Sequence, residues 1–126
     1  MLDPIQVLPA PGQGALAVEC RSDRTDLIDL LGVLDDPDTR ATVTAERALL
    51  ATLEAGCSAP VGALAEVAWG DDGDELWLRA VVADPSGSPS IRLSAIGVPS
   101  DAAALGLRLA TEMLAEGADQ IMAPVA

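Results

Sequence analysis

The stretch ALAEVAWGDDGDELWLRAVVADPSGSPSIRLSAI, residues 63–96, decides the fold. Three runs with strand character lie in it, at residues 63–69, 75–83 and 90–96. The acidic, Gly-bounded residues 70–74 are typical of a hairpin turn, and a Pro-bounded turn at 85–89 joins the second run to the third. Apolar residues alternate in the second run, at Leu76, Leu78, Ala80 and Val82. The stretch therefore predicts a three-stranded antiparallel sheet with one buried face.

A run rich in Ala, Leu and Arg precedes this sheet and predicts a helix. Asp38 or Thr39 is expected to cap its start, and it is expected to end near Glu54. Gly56 is well placed to end it in a left-handed conformation. The side chains expected on its buried side are Val43, Leu49, Leu50 and Leu53.

A second helix is predicted after the sheet, from Pro99 to about Glu116, with Gly117 ending it. Its core spacing is carried by Ala102, Leu105, Leu109 and Met113. Helix, three strands and helix in this order predict an α+β domain over residues 37–126, with the antiparallel sheet packed against two helices.

Residues 1–36 predict a partial strand-helix segment. Ala15–Cys20 alternates like a strand, in which Cys20 is expected to be packed, and residues 26–34 predict a short helix that ends before Pro37. One strand and one helix bury little apolar surface, so this segment is expected to need a partner from outside the sequence. An unpaired strand favours edge pairing, so self-association of the chain is also expected.

The composition excludes several function classes. Seven Arg against 20 Asp and Glu give a net charge of −13, which disfavours nucleic-acid binding because that affinity depends on cations. The chain has no His and no Lys, which removes His-based catalysis and His metal ligands. With only two Cys and no His, no metal site is expected.

The two cysteines, Cys20 and Cys57, indicate a reducing compartment, because disulfide scaffolds are much denser in Cys. The first residues lack the basic region of a signal peptide, and no apolar run has the length of a membrane span. A cytoplasmic protein that does not contact a membrane is therefore expected.

Two segments are unusual for folding alone. Gly12 and Gly14 flank Gln13 just before the predicted strand, which permits close approach of a bound group or forms only a turn. Cys57 follows the first long helix in a Gly- and Pro-bounded loop. It is either a small buried hydrophobe or a thiol able to trap a strong carbon electrophile.

These two segments resemble one known family. The motif LPAPGQGALAVECR at 8–21, followed by AERALLATLEAGCSAPVGALAE at 45–66, resembles porphobilinogen deaminase, also called hydroxymethylbilane synthase. The family pattern is close to PAxGQGAxxxECR and then ERAxLxxLxGGCxxPxGAxA, in this order and at this separation. This chain has Ala55 where the family often has Gly, and Pro11 where a small aliphatic residue is common.

The resemblance implies a cytosolic transferase of tetrapyrrole (haem) biosynthesis. Such an enzyme condenses four porphobilinogen molecules, with loss of ammonia, into hydroxymethylbilane. Its dipyrromethane cofactor is held by a thioether to the cysteine that corresponds to Cys57. Deaminated porphobilinogen is a soft carbon electrophile, which suits attack by a thiol. The resemblance also implies an enzyme that acts as a monomer.

The same resemblance suggests which residues lie near that cofactor. Gly56 and Ser58 flank the anchoring thiol, Gln13, Gly14 and Ala15 are expected beside the active-site cleft, and Arg21 is expected to face pyrrole carboxylates. No catalytic residue is expected in this chain, because the family's proton-transfer aspartate lies further upstream.

The resemblance covers roughly the last two fifths of a family member. Residues 1–36 correspond to the end of the second domain and the return into the first, and residues 37–126 to the third. Upstream domains of the same enzyme are therefore the expected partners, and the chain alone is expected to be inactive. The alternative is an acidic α+β interaction module that keeps the fold without the chemistry.

Overall fold

A computed structural model of the protein describes residues 1–54 and 59–123. Its helices are α1 (Thr25–Leu31), α2 (Pro37–Thr52), α3 (Ala102–Ala115) and α4 (Ala118–Met122). Its strands are β1 (Val61–Gly70), β2 (Gly73–Ala83) and β3 (Ser90–Gly97). Short 3₁₀ turns follow α1 and precede α3, at Gly32–Leu34 and Pro99–Asp101. None of the described helices combines the length and the apolar character that a membrane crossing requires.

The three strands form one antiparallel sheet in the order β1-β2-β3. Gly70 pairs with Gly73 at the first turn, so the predicted hairpin is confirmed. Gly73 has a φ of +122°, a conformation that favours glycine and lets the chain reverse tightly. The predicted α+β fold class is confirmed.

The core lies between one face of this sheet and the helices α2 and α3. All four alternating residues predicted for β2 are fully buried, as are three of the four predicted for α3, and the fourth, Ala102, is nearly so. The largest fully buried side chains are Leu49, Leu76, Leu78, Val82, Leu105, Leu109 and Met113. The residues that alternate in β2 and those at helical spacing in α3 thus pack into a single core.

Helix α2 begins two or three residues earlier than predicted. The cap is Asp36, whose carboxylate accepts the Thr39 backbone N–H at 2.9 Å, and not Asp38 or Thr39. Pro37 occupies the first helical position, where its missing N–H costs nothing. A left-handed residue follows the helix, but it is Glu54, with a φ of +54°. The predicted Gly56 lies outside the described residues.

The C-terminal end of the α+β domain contains one helix that the sequence pattern did not predict. Helix α3 ends at Gly117, as predicted, and the structure adds that this glycine is left-handed, with a φ of +99°. A further short helix, α4, then follows and buries Ala118 in the core. Ile121 and Met122 also pack against this core, which extends the unit at its C-terminal end.

The prediction of a strand at Ala15–Cys20 is wrong. These residues have no helix or strand structure, and Leu16 and Val18 are 97% and 60% exposed. Cys20 is exposed and free rather than packed. The alternation is present in the sequence, but a strand needs a neighbour to pair with its backbone, and none of the described residues supplies one.

The short helix predicted at 26–34 is present as α1 and its 3₁₀ turn, but it has no buried residue. Leu30, Val33 and Leu34 are all exposed. An apolar surface of this kind is expected to be covered by a partner. Self-association and the domain boundary at 36/37 remain predictions.

Candidate functional site

A cavity of about 530 Å³ lies beside the free edge of β1. Because β1 is the first strand in the sheet order, one of its edges has no neighbouring strand. Three parts of the chain form the walls: the loop before residue 16, the first half of α2 and the middle of β1. The lining residues are Pro9, Ala10, Gly12, Gln13, Gly14, Ala15, Thr39, Thr42, Val43, Glu46, Leu64 and Ala65.

The N-terminal segment is fastened to the sheet before it reaches this cavity. The Ala63 backbone N–H, on the free edge of β1, donates to the Pro9 carbonyl at 2.8 Å. Gly62 permits this approach, because a Cβ at that position would lie 2.9 Å from the Leu8 carbonyl oxygen. The Arg92 guanidinium on β3 donates to backbone carbonyls of the same segment, one of them that of Gln6 at 3.3 Å.

The loop that follows is held by its own hydrogen bonds. Gly12 has a φ of +74°, and the Ala15 N–H donates to the Gly12 carbonyl at 3.2 Å. The Gln13 side chain turns back so that its Oε1 accepts the Ala10 N–H at 3.1 Å. The Nε2 of the same amide group remains available to donate a hydrogen bond to a ligand.

Among the described residues, Glu46 is the one charged residue that is buried, with 7% of its surface exposed. Its Oε2 accepts the Gly12 N–H at 2.6 Å, and its Oε1 accepts the Ala65 N–H at 2.8 Å. Burial raises the pKa of Glu46, although both backbone hydrogen bonds act in the opposite direction. One carboxylate thus joins α2, the loop and the edge of β1.

Sequence reasoning did not identify Glu46 as a site residue. The available signal was its spacing, because it stands three residues after Val43 and seven before Leu53, on the side expected to be buried. A carboxylate on such a side needs hydrogen-bond donors. The donors are backbone groups 34 and 19 residues away in the chain, which no local pattern indicates.

The predicted site residues divide into three groups. Gln13, Gly14 and Ala15 all line the cavity. Arg21 does not line it, since its side chain is 80% exposed and pairs with Asp23 at 2.5 Å. Three residues lie outside the described residues, namely Gly56, Cys57 and Ser58.

The charges around this cavity do not suit an anionic ligand. Of the residues that the structure describes, no arginine lines it, and the one ionisable side chain in its wall is that of Glu46. Both lining hydroxyls are already engaged within α2, where Thr42 donates to the Thr39 carbonyl and Thr39 to the Asp36 carboxylate. The described residues therefore offer a wall of small apolar side chains, backbone groups and the Gln13 amide, and positive charge would have to come from elsewhere.

Comparisons with known proteins agree on one family. The family model for the C-terminal domain of porphobilinogen deaminase matches residues 40–115. The chain is 62% identical to the porphobilinogen deaminase of Mycobacteroides abscessus over 122 residues, which cover 93% of this chain and 40% of that protein. It is 58% identical to the Mycobacterium avium protein of the same name over 126 residues, covering 96% and 40%.

A third relative extends the match to almost the whole chain. The porphobilinogen deaminase of Nocardia farcinica is 57% identical over 130 residues, covering 99% of this chain and 38% of that protein. The chain thus spans about two fifths of the length of the curated relatives it matches.

Proposed function

Since this chain belongs to the porphobilinogen deaminase family, we propose that it is the part of that enzyme that carries the covalent cofactor. In this proposal the complete protein is a transferase of tetrapyrrole biosynthesis, and it condenses porphobilinogen into hydroxymethylbilane. The observation that carries the proposal is the identity of 57–62% to relatives with that name along almost the entire chain.

Cys57 is the anchor in this proposal. A dipyrromethane bound there would supply the growing end to which further pyrrole units are added. The chain fits the covalent part of that task, because it provides a thiol between the end of α2 and the start of β1. A thiol forms a stable thioether with a carbon electrophile, and no His is needed for a bond that is made once.

The described residues do not fit the recognition of the acetate and propionate groups. Four arginines pair with carboxylates of this same chain: Arg21 with Asp23, Arg24 with Asp26, Arg40 with Asp35 and Arg79 with Glu66. The net charge of −13 further disfavours a polyanionic ligand. We therefore assign most of the carboxylate binding to the rest of the enzyme and expect no turnover by this chain alone.

The other parts of the proposal follow from this division. Upstream domains of the same enzyme are the partners, and they cover the exposed apolar residues between Leu16 and Leu34. Gln13, Gly14 and Ala15 form the wall that this chain contributes beside the cofactor. The exposed, free thiol of Cys20 is consistent with the reducing cytoplasm.

The test is the denaturing intact mass of the complete enzyme that includes this chain, followed by a tryptic map. Cleavage after arginine places Cys57 in the peptide 48–79, whereas the peptide that contains Cys20 ends at Arg21. We expect a dipyrromethane-sized mass increase on the peptide 48–79. Cys57→Ser should abolish both the adduct and turnover, and Cys20→Ser, the matched control, should keep both.

Two outcomes would contradict the proposal. An adduct that follows Cys20 would move the anchor to the wrong cysteine. An enzyme that lacks any adduct and does not consume porphobilinogen would favour the alternative, an acidic α+β module that keeps the fold without the chemistry.

A further inference from the structure

We propose that Glu46 is a positioning residue that fastens the loop Gly12–Gly14 to α2 and to the edge of β1, and thereby fixes one wall of the cavity. This inference rests on the proposed function, because it concerns the wall that this chain contributes beside the cofactor. Neither the family assignment nor the sequence pattern gives Glu46 this task.

The geometry requires an acceptor with two oxygens. The Gly12 and Ala65 groups that meet at Glu46 are both N–H donors, at 2.6 and 2.8 Å from separate carboxylate oxygens. A carboxylate accepts at both positions, whereas the amide of Gln would turn an NH₂ group toward one of the donors. The two donors therefore favour the ionised acid, and both segments share this one carboxylate.

The backbone contact and the Glu46 contact that hold the segment have different consequences. The Pro9 carbonyl and the Ala63 N–H hold the segment by backbone groups, which every sequence provides. Glu46 holds the segment three residues later, at the Gly12 N–H. At that point the chain has left the edge of β1, and Gly12 is only partly buried. Without Glu46 the Gly12 N–H can turn to water, so the loop can detach while the sheet and the helices stay packed.

The Ala65 bond acts on the other side of the same contact. Ala65 is buried on the free edge of β1, where its N–H has no partner strand. A buried N–H without an acceptor lowers stability, and the Glu46 carboxylate supplies the acceptor that a neighbouring strand would otherwise provide. The bond from Ala65 fixes Oε1 of Glu46 against β1. Because both oxygens belong to one planar carboxylate, this bond also fixes Oε2, and Oε2 in turn holds the Gly12 N–H.

The first experiment measures amide hydrogen exchange in this chain. We expect Glu46→Gln to accelerate exchange at the Gly12 N–H at least tenfold, and Glu46→Ala to accelerate it at Gly12 and Ala65 together. The Leu78 N–H, in the centre of the sheet, should keep its rate and so report that the variants are folded. Glu66→Gln is the matched control, because it removes one exposed carboxylate from β1, next to Ala65. Unchanged exchange at Gly12 in Glu46→Gln would overturn the proposal.

The second experiment separates positioning from general stability in the complete enzyme. We expect Glu46→Gln to lower kcat at least tenfold for each adduct-bearing molecule, while the mass increase on the peptide 48–79 is retained. A merely structural role would lower the amount of folded enzyme and leave kcat per active molecule and KM unchanged, which would contradict the proposal. If the wild-type enzyme carried no adduct, the proposed function would fail, and the exchange experiment would still decide whether Glu46 fastens the loop.

Discussion

Helices α1 and α2 are neighbours in the chain and both contain regularly spaced leucines, yet they have opposite environments. Leu30 of α1 is 65% exposed, whereas Leu49 of α2 is fully buried. Helix α2 packs against α3 and β1. Helix α1 has no buried residue at all. The difference shows that an amphipathic pattern predicts a helix, while burial depends on whether a packing partner is present.

The segment before α1 lies between these two extremes. Residues 5–12 are held to the sheet by hydrogen bonds from Ala63 and Arg92 and to α2 by the bond to Glu46, whereas none of residues 16–34 is buried. Polar contacts therefore fix the position of the loop, while the apolar contacts that would fix α1 are missing from the described chain. If this interpretation is correct, substitutions in the two regions should differ sharply in their effect on stability.

The largest difference is expected for leucine truncation. Leu78→Ala removes a fully buried side chain from the central strand and should lower the free energy of unfolding by about 3 kcal/mol. Leu30→Ala removes the same atoms from an exposed position and should change it by less than about 0.5 kcal/mol. Urea unfolding followed by circular dichroism measures both. Comparable losses would mean that α1 is buried in solution.

A smaller difference is expected when glycine is replaced. A Cβ at Gly106 would lie 2.3 Å from the Ala45 carbonyl oxygen and 2.8 Å from the Ala48 Cβ, so Gly106→Ala must push α3 away from α2. We expect a loss of about 2 kcal/mol in the same urea experiment.

Gly32→Ala is the matched control in the other region. Nothing lies within 4 Å of a Cβ there, and the φ of −57° suits alanine. This variant should be neutral or stabilised by about 0.5 kcal/mol. A clear loss at Gly32 would show that α1 has a packing partner in solution.

The two regions also contain carboxyl groups whose pKa values are shifted in opposite directions, Glu46 in α2 and Asp26 in α1. Burial raises the pKa of Glu46, so the folded protein holds this proton more tightly than the unfolded chain does. The contribution of Glu46 to stability should therefore fall as pH rises from the ordinary pKa of glutamate to the raised one. Hydrogen bonds from Arg24 lower the pKa of exposed Asp26, so its contribution should be lost as pH falls through that lowered value.

Carbon-detected NMR titration of the side-chain carboxyl groups measures both pKa values directly. Glu46→Gln should remove the pH dependence of unfolding that belongs to the raised group, while Glu66→Gln, at an exposed carboxylate of β1, should not. A pKa of Glu46 below its ordinary value would mean that the two hydrogen bonds outweigh burial.

The smallest effect on stability is expected at Arg21. Its ion pair with Asp23 is largely exposed, so Arg21→Gln should change the free energy of unfolding by less than about 0.5 kcal/mol. If Arg21 faces pyrrole carboxylates in the complete enzyme, the same variant should raise KM for porphobilinogen several-fold. Arg24→Gln, which breaks a similar exposed pair, is the control. Equal KM values for the two variants would remove Arg21 from the site.

Much of the α+β unit could be predicted because its signals are local. The alternation in β2, the turn at Gly70–Gly73 and the helix end at Gly117 each depend on a few consecutive residues, and all three predictions were correct. The strand at Ala15–Cys20 was wrong for the opposite reason. Alternation is a local property, but a strand exists only when a second chain segment accepts and donates its hydrogen bonds.

The candidate site shows the same division. Gln13, Gly14 and Ala15 could be identified from their motif, and they line the cavity. Glu46 was not singled out, because its spacing indicates the buried side of the helix but not the two backbone N–H groups that it meets there. Arg21 was expected near the site, but in the described chain it pairs with Asp23 in solvent.

The sequence by itself determined the family, the three strands, the two long helices and the cysteine that we propose as the anchor. Those conclusions need only residue identity and short spacing. Tertiary structure alone decided that the loop before residue 16 covers the free edge of β1, and that one carboxylate joins it to α2. The physical reason is that a buried charge must find its hydrogen-bond donors, and these donors are brought to Glu46 only when segments far apart in the chain pack together.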